Sequence, residues 1–204
     1  MTPFTASATQ AEITGEDRLR ANVYALLAAL LSRAPDTNLL SDLQSLSSDD
    51  TDIGKGFAGL KAVAARLDEA AIAREFHDLF IGVGRGELLP YGSYYLTGFL
   101  NEKPLAKLRN AMTELGIERD PDVVEPEDHI AALFDMMAGL IEGAFGPPAD
   151  LTTQREFFET HIQSWAPYFF RDLETAESSV FYAPIGTIGK AFLEIEAMGF
   201  TMDD

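Results

Sequence analysis

Histidines are the side chains in this sequence best suited to bind a metal or to act as a base. There are three: His77, His129 and His161. Helical di-iron sites use Glu-x-x-His pairs, but Arg74, Pro126 and Phe158 stand three positions before these histidines. There is no His-x-x-x-His pair for a helical zinc site, and the chain has no cysteine. We therefore expect structural histidines and no stoichiometric zinc or iron.

A glycine-rich segment, Gly82-Val-Gly-Arg-Gly86, is the one motif that suggests phosphate binding. It follows a helical pattern instead of a strand and lacks the Gly-Lys-Ser/Thr ending that holds phosphate and magnesium. The sequence also has no Gly-x-Ser-x-Gly nucleophile motif. With 33 acidic residues, pairs of carboxylates arise by chance and do not indicate acid–base catalysis. The sequence therefore predicts that the protein is not an enzyme, with nucleotide binding only weakly supported.

The strongest polar cluster is Glu125-Pro-Glu-Asp-His-Ile130. Proline favours the first turn of a helix, and carboxylates are stabilised at its positive end. Capping explains the acids but does not require His129, which Asp128 could orient. We expect Asp128 and His129 to lie in the first turn of a helix beginning at Pro126, to project toward solvent and to contribute little to folding.

Helices must position these residues. Leu, Ala, Phe and Met dominate the apolar residues, which favours helices over strands. Helical spacing recurs from the capping-box pattern at Thr14 to Asp17 as far as about Met198, interrupted by a long irregular segment over 82–93 and a polar hinge over 117–124. The prediction is an all-α, single-domain helical bundle over residues 1–204, with a flexible segment at 1–14.

The charge limits the partners. Fifteen basic and 33 acidic residues give a net charge of −18, which opposes binding to nucleic acid or an anionic membrane and favours a basic partner. The first residues lack the basic and apolar regions of a secretory signal, and the apolar run from Tyr24 to Leu31 is too short to span a bilayer. We expect a cytoplasmic protein without direct membrane insertion.

Three segments in order resemble the TorD/DmsD/NarJ family of cytoplasmic chaperones that mature molybdenum-containing redox enzymes. They are Glu75-Phe-His-Asp-Leu-Phe-Ile-Gly82 with Pro90-Tyr-Gly-Ser-Tyr-Tyr95, then Glu125-Pro-Glu-Asp-His-Ile130, then Gln154 to Phe157 with His161 and Trp165. The resemblance implies a TorD-like all-α fold and a peptide-binding surface. Its residues would be Phe76, Leu79, Phe80, Pro90, Tyr91, Ser93, Tyr95, Glu125, Asp128 and His129. Some relatives have tryptophan where this chain has Tyr91.

The implied partner is the twin-arginine signal peptide, or another N-terminal segment, of a molybdoenzyme catalytic subunit before export or assembly. Such a signal has a basic stretch and then an apolar one, so acidic groups such as Glu125 and Glu127 beside an aromatic groove would suit it. No cofactor of the chain's own is expected. GTP regulation, direct handling of the molybdenum cofactor and contact with its biosynthesis machinery remain alternatives. So do a monomer and a homodimer swapped at the 117–124 hinge.

Overall fold

The computed structural model describes residues 13–119 and 122–202, so most of the segment expected to be flexible lies outside the described residues. Within them the protein is all-α, as predicted, with no strand. The α-helices are α1 Gly15–Ser32, α2 Thr37–Gln44, α3 Asp52–Ala64, α4 Glu69–Phe76, α5 Gly92–Thr97, α6 Lys103–Glu114, α7 Ile130–Glu142, α8 Leu151–Phe157, α9 Ala166–Thr175 and α10 Ala183–Met202. Over the described ranges, none of these helices has both the length and the hydrophobicity to span a bilayer.

Side-chain caps begin several helices, among them the helix that the Thr14 to Asp17 pattern predicts. Thr14 Oγ1 accepts a hydrogen bond from the Asp17 amide at 3.1 Å, and the Asp17 carboxylate accepts one from the Thr14 amide at 3.1 Å. Asp36 and Asp150 cap α2 and α8 in the same way. These side chains accept hydrogen bonds from amides that no helical carbonyl can reach.

The predicted helix start at Pro126 is wrong. α7 begins at Ile130, and His129 is its N-cap. Residues 126–129 form a turn in which the His129 amide donates to the Pro126 carbonyl at 3.1 Å. Proline supplies a backbone angle that suits a turn as well as a first helical turn, which is why the sequence pattern was ambiguous. The hinge expected at 117–124 lies partly outside the described residues.

α7 forms the centre of the core and is buried along most of its length. It packs on α1, where the Tyr24 and Phe134 ring centroids are 5.2 Å apart, and toward α9, where Phe134 and Phe170 are 5.7 Å apart. α9 in turn packs on α10, with Gly189 against Phe170. A Cβ at Gly189 would lie 2.3 Å from that ring, so glycine is required for this close approach.

Two π-helical segments, His77–Ile81 and Phe158–Gln163, extend α4 and α8. A π turn shifts the helical hydrogen bonds and leaves carbonyls available to other donors. The Leu79 carbonyl accepts from the Leu88 amide at 2.8 Å, and the His161 carbonyl accepts from Trp165 Nε1 at 2.8 Å. The two π segments thereby hold the irregular 82–90 loop and the Trp165 ring in place.

Candidate functional site

Backbone pairing joins the two segments that the sequence singled out. Tyr91 and His129 form an isolated antiparallel bridge. The Gly92 amide donates to the Asp128 carbonyl at 2.9 Å, and the Ile130 amide donates to the Pro90 carbonyl at 2.8 Å. The 90–95 segment and the 125–130 turn are therefore neighbours, although more than thirty positions separate them in the sequence.

Asp128 lies at the centre of this junction. Its Oδ2 accepts a hydrogen bond from the Ser93 amide at 2.7 Å, in the first turn of α5, and the residue is 3% exposed. Its Oδ1 is buried and has no hydrogen-bond partner among the described residues. The expectation that Asp128 projects toward solvent is wrong, because its bond to the first turn of α5 holds it inside the protein. The second carboxylate oxygen is left without a donor among the described residues.

His129 is held in its neutral form. Burial lowers its pKa to about 4, despite the nearby Glu125 and Asp128 carboxylates. Its Nδ1 accepts a hydrogen bond from the Ala131 amide at 3.1 Å. Its ring packs edge-to-face with the Tyr91 ring, and the two ring centroids are 5.1 Å apart. The Tyr91 hydroxyl in turn donates to the Glu125 carboxylate. His129 thus caps α7 and orders the bridge, so its expected projection toward solvent is also wrong.

A cavity of about 420 Å³ opens beside Asp128; we call it the Asp128 cavity. Leu96, Leu108, Leu133 and Trp165 supply apolar walls, and Lys103 and Lys107 of α6 also line it. Gly92 forms part of the wall, where a Cβ would lie 3.0 Å from Trp165 Nε1. The cavity combines an apolar surface, one buried acidic residue and two cationic side chains.

Glu127, expected as an acidic group for a ligand, is already paired within the protein. Arg109 donates to its carboxylate at 2.8 Å, and Arg119 lies 3.6 Å away. Burial alone would raise the pKa of Glu127, but the hydrogen bonds and charge of these arginines hold it below its ordinary value. Its negative charge therefore stabilises the turn and is largely unavailable to a partner.

The aromatic part of the expected site lies elsewhere. Phe76 and Phe80 are half-buried, and their ring centroids are 5.0 Å apart. Both rings also pack on Tyr182, with centroid distances of 5.9 Å from Phe76 and 5.4 Å from Phe80. Tyr95 is also half-buried and links the two regions, since its ring lies 5.5 Å from Trp165. Leu79, Pro90 and Ser93 are buried. Their side chains therefore cannot form the exposed surface that was expected of them. Of the ten predicted residues, Asp128 lines the cavity and Glu125 is exposed.

The cavity's other residues were hard to identify from the sequence. Lys103 and Lys107 stand four positions apart on α6, a spacing that places both on one face of a helix. Two cations on one helix face of a very acidic chain are the only feature of the sequence that could have indicated this part of the cavity. His161, also in the cavity wall, has a pKa lowered to about 4 by burial and by the charge of Lys107.

Acid is expected to destabilise the fold through His129 and His161. Their pKa values near 4 lie below the ordinary 6.5, so the unfolded chain binds more protons between these values. Stability should be fully retained above pH 6.5 and fall as pH decreases toward 4, with about 2 kcal/mol lost per histidine at pH 5. Urea unfolding at pH 7.5 and pH 5 measures the loss.

Two variants separate this effect from general acid denaturation. His129→Asn retains a capping side chain and should weaken the pH dependence, whereas the exposed His77→Asn should leave it unchanged. An unaltered pH profile in His129→Asn would show that His129 is not the titrating group.

Comparison with solved structures shows that the fold is a known one. The crystal structure of a putative redox enzyme maturation protein from Archaeoglobus fulgidus superposes with a TM-score of 0.58 at 20% identity, covering 86% of this chain and 94% of that one. The family described as Nitrate reductase delta subunit matches residues 46–171, more than half of the chain. The chain belongs to this family, which is that of the TorD chaperones.

Individual relatives agree with the family. The chaperone protein TorD of Aliivibrio fischeri is 28% identical over 91% of this chain and 96% of its own length. The chaperone protein TorD of Vibrio cholerae (strain O395) is 29% identical over 76% of this chain and 73% of its own. These relatives are named as chaperones and not as enzymes, in agreement with the prediction from the sequence.

Proposed function

We propose that this protein is a cytoplasmic chaperone for a molybdenum-containing oxidoreductase. It binds the twin-arginine signal peptide, or another N-terminal segment, of the catalytic subunit and assists cofactor loading and assembly before export. The observation that carries the proposal is the buried Asp128 carboxylate oxygen that has no partner among the described residues and belongs to a residue lining an apolar cavity. Membership of a chaperone family supports the general role.

An arginine side chain suits the apolar wall and the acidic residue of the Asp128 cavity, whereas Lys103 and Lys107 in the same lining repel it. Its aliphatic stem can lie against Leu96 and Trp165, while its guanidinium donates to Asp128 Oδ1. A buried acceptor without a partner costs free energy, and a charged donor from a ligand removes that cost. The free protein thus holds a carboxylate ready for a cation.

Exposed apolar side chains next to the cavity suit the stretch that follows the arginines in such a signal. Leu96, Phe99 and Leu100 are 45%, 70% and 41% exposed at the end of α5 and just beyond it. Contiguous exposed apolar residues commonly mark a binding surface. The net charge of −18 favours encounter with a basic peptide.

A second candidate function rests on the two lysines. Lys103 and Lys107 beside Trp165 would suit an anionic ligand with a flat ring, such as GTP or the molybdenum cofactor. The glycines that first suggested nucleotide binding have a structural explanation instead. Gly82 has φ +60°, and its amide donates to the His77 carbonyl at 2.7 Å, which closes the π turn.

The test of the proposal is Asp128→Asn. The asparagine oxygen can still accept from the Ser93 amide, so the melting temperature should change little, but the charge is lost. The client is first recovered by pull-down from native cytoplasm, where one dominant redox subunit is expected. Affinity for its N-terminal peptide should then fall ten- to a hundredfold, or about 1.5–3 kcal/mol.

Asp135→Asn is the matched control, because Asp135 is exposed on α7 and the charge change is the same. Replacing the peptide arginines by glutamine should abolish the difference between wild type and Asp128→Asn, as a double-mutant cycle requires. Normal peptide binding by Asp128→Asn would refute the proposed site. Loss of GTP binding in Lys103→Gln with Lys107→Gln, while peptide binding is unchanged, would favour the second candidate.

A further inference from the structure

A second and larger concavity lies at the other end of α7. It has a volume of about 770 Å³ and is bordered by the start of α1, the corner between α7 and α8 and the last turns of α10; we call it the α10 groove. Leu133 of α7 lines the Asp128 cavity, whereas Ile141 lines the α10 groove. Eight residues of helix separate these side chains by about 12 Å, so the two sites are distinct.

One side of the α10 groove is an apolar stripe without a partner among the described residues. Ile195, Met198 and Met202 follow each other at helical spacing on α10 and are 47%, 58% and 80% exposed. Between them, a Cβ at Gly199 would meet nothing within 4 Å, so the floor of the groove is open. Flexible methionines are common on surfaces that accept helical peptides.

The charged residues that line the groove are predominantly acidic. Glu16, Asp17, Asp150 and Glu196 contribute four negative charges, against one positive charge from Arg20. Arg20 is bound by Glu196 at 2.7 Å and by Asp17 at 3.2 Å, so the charges of these three residues are largely used within the protein and Glu16 and Asp150 remain for a partner. Glu16 and Asp150 are exposed at the rim. An occupant with cationic side chains beside apolar ones would be complementary.

The two ends of this chain lack that chemistry. Residues 1–12 contain no lysine or arginine, and residues 203–204 are both aspartate. A second copy of the chain carries the same charge of −18. We propose that the α10 groove binds a helical segment of a partner protein in which lysine or arginine residues flank an apolar face. This site is separate from the proposed peptide site at Asp128.

Methionine methyl groups allow the native protein to report on this site. The probe is a synthetic amphipathic helix of leucine and lysine, about 14 residues or four turns long. In protein labelled with ¹³C at the methionine methyls, titration with this peptide should shift and saturate the resonances of Met198 and Met202. The methyls of Met112 and Met137, which are 5% and 0% exposed in the core, should not move.

Two pairs of variants localise the binding. Gly199→Leu fills the groove and should weaken binding at least tenfold, while Ala58→Leu adds three of the same four carbons at an exposed position of α3 and should not. Glu16→Gln with Asp150→Asn removes two rim charges, and asparagine still caps α8. This pair should weaken binding about three- to tenfold. The control, Asp68→Asn with Glu69→Gln at the start of α4, should have no effect.

Three outcomes would overturn the proposal. The first is that Met198 and Met202 do not respond to saturating peptide. The second is an equal response to a peptide with glutamate in place of lysine. The third is a shift of the same resonances on concentrating the protein alone, which would identify a second copy as the occupant. Asp128→Asn should leave this titration unchanged, so failure of either proposed site is recognised independently of the other.

Discussion

Replacing Glu75 by alanine is expected to lower the free energy of unfolding by about 3–5 kcal/mol, because one buried carboxylate satisfies three backbone donors. The Glu75 carboxylate accepts from the amides of Val180, Phe181 and Tyr182 at 2.8, 3.0 and 2.9 Å, directly before α10. Alanine would leave these amides without partners at a helix N-terminus, where a negative charge is also favourable.

The measurement is thermal and urea unfolding, with an expected decrease in melting temperature of roughly 6–20 °C. Glu75→Gln keeps one oxygen acceptor and should show an intermediate loss. Glu87→Ala is the matched control, since the exposed Glu87 also accepts two amides of the same loop, from Glu177 and Ser178. It should cost about 1 kcal/mol or less. Equal losses in Glu75→Ala and Glu87→Ala would show that burial of the acceptor is not the decisive factor.

Replacing Glu196 by alanine is expected to cost about 3–5 kcal/mol, since it leaves the charge of a partly buried arginine without its main partner. Glu196 is 3% exposed. Its carboxylate accepts hydrogen bonds from Arg20 Nε at 2.7 Å, from Arg20 Nη2 at 2.9 Å and from the Tyr24 hydroxyl at 2.9 Å. The three residues connect α1 with α10 through the side of the core.

A double variant tests the origin of this loss. Arg20→Met with Glu196→Met removes both charges and should recover most of the stability, because two apolar side chains in place of a buried pair are often tolerated. The exposed pair Lys55 and Asp52, 2.9 Å apart, provides the comparison, and Asp52→Ala should leave the melting temperature unchanged. If the double variant is as unstable as Glu196→Ala, lost packing and not the unpaired charge explains the effect.

Interactions between residues close in the sequence were predictable, and contacts between residues far apart in the sequence were not. Thr14 caps α1 where the sequence predicts it, because a cap depends only on residues a few positions away. The role of Glu75 depends on amides more than a hundred positions later, and no local pattern contains that information. The π segments at His77 and Phe158 were equally invisible, since their residues suit an ordinary helix.

The candidate site was predicted in part for the same reason. The sequence singled out Asp128 and His129. A polar residue shortly after a proline is predicted to lie exposed in the first turn of a helix, unless a partner that buries it is known. Ser93 is that partner, thirty-five positions earlier, and its amide draws Asp128 inward. The roles of the α6 lysines and of the exposed α10 stripe could not be predicted, because they depend on how helices from distant parts of the chain pack together.

The pairing of α1 with α7 has a consequence for synthesis on the ribosome. α1 emerges well before α7, because the helix that buries its Tyr24 follows roughly a hundred residues later. At typical translation rates of about 5–20 residues per second, α1 waits on the order of 5–20 seconds for its partner. During that delay its leucine-rich face remains open to other proteins. The core of this chaperone therefore closes only after α7 has been translated.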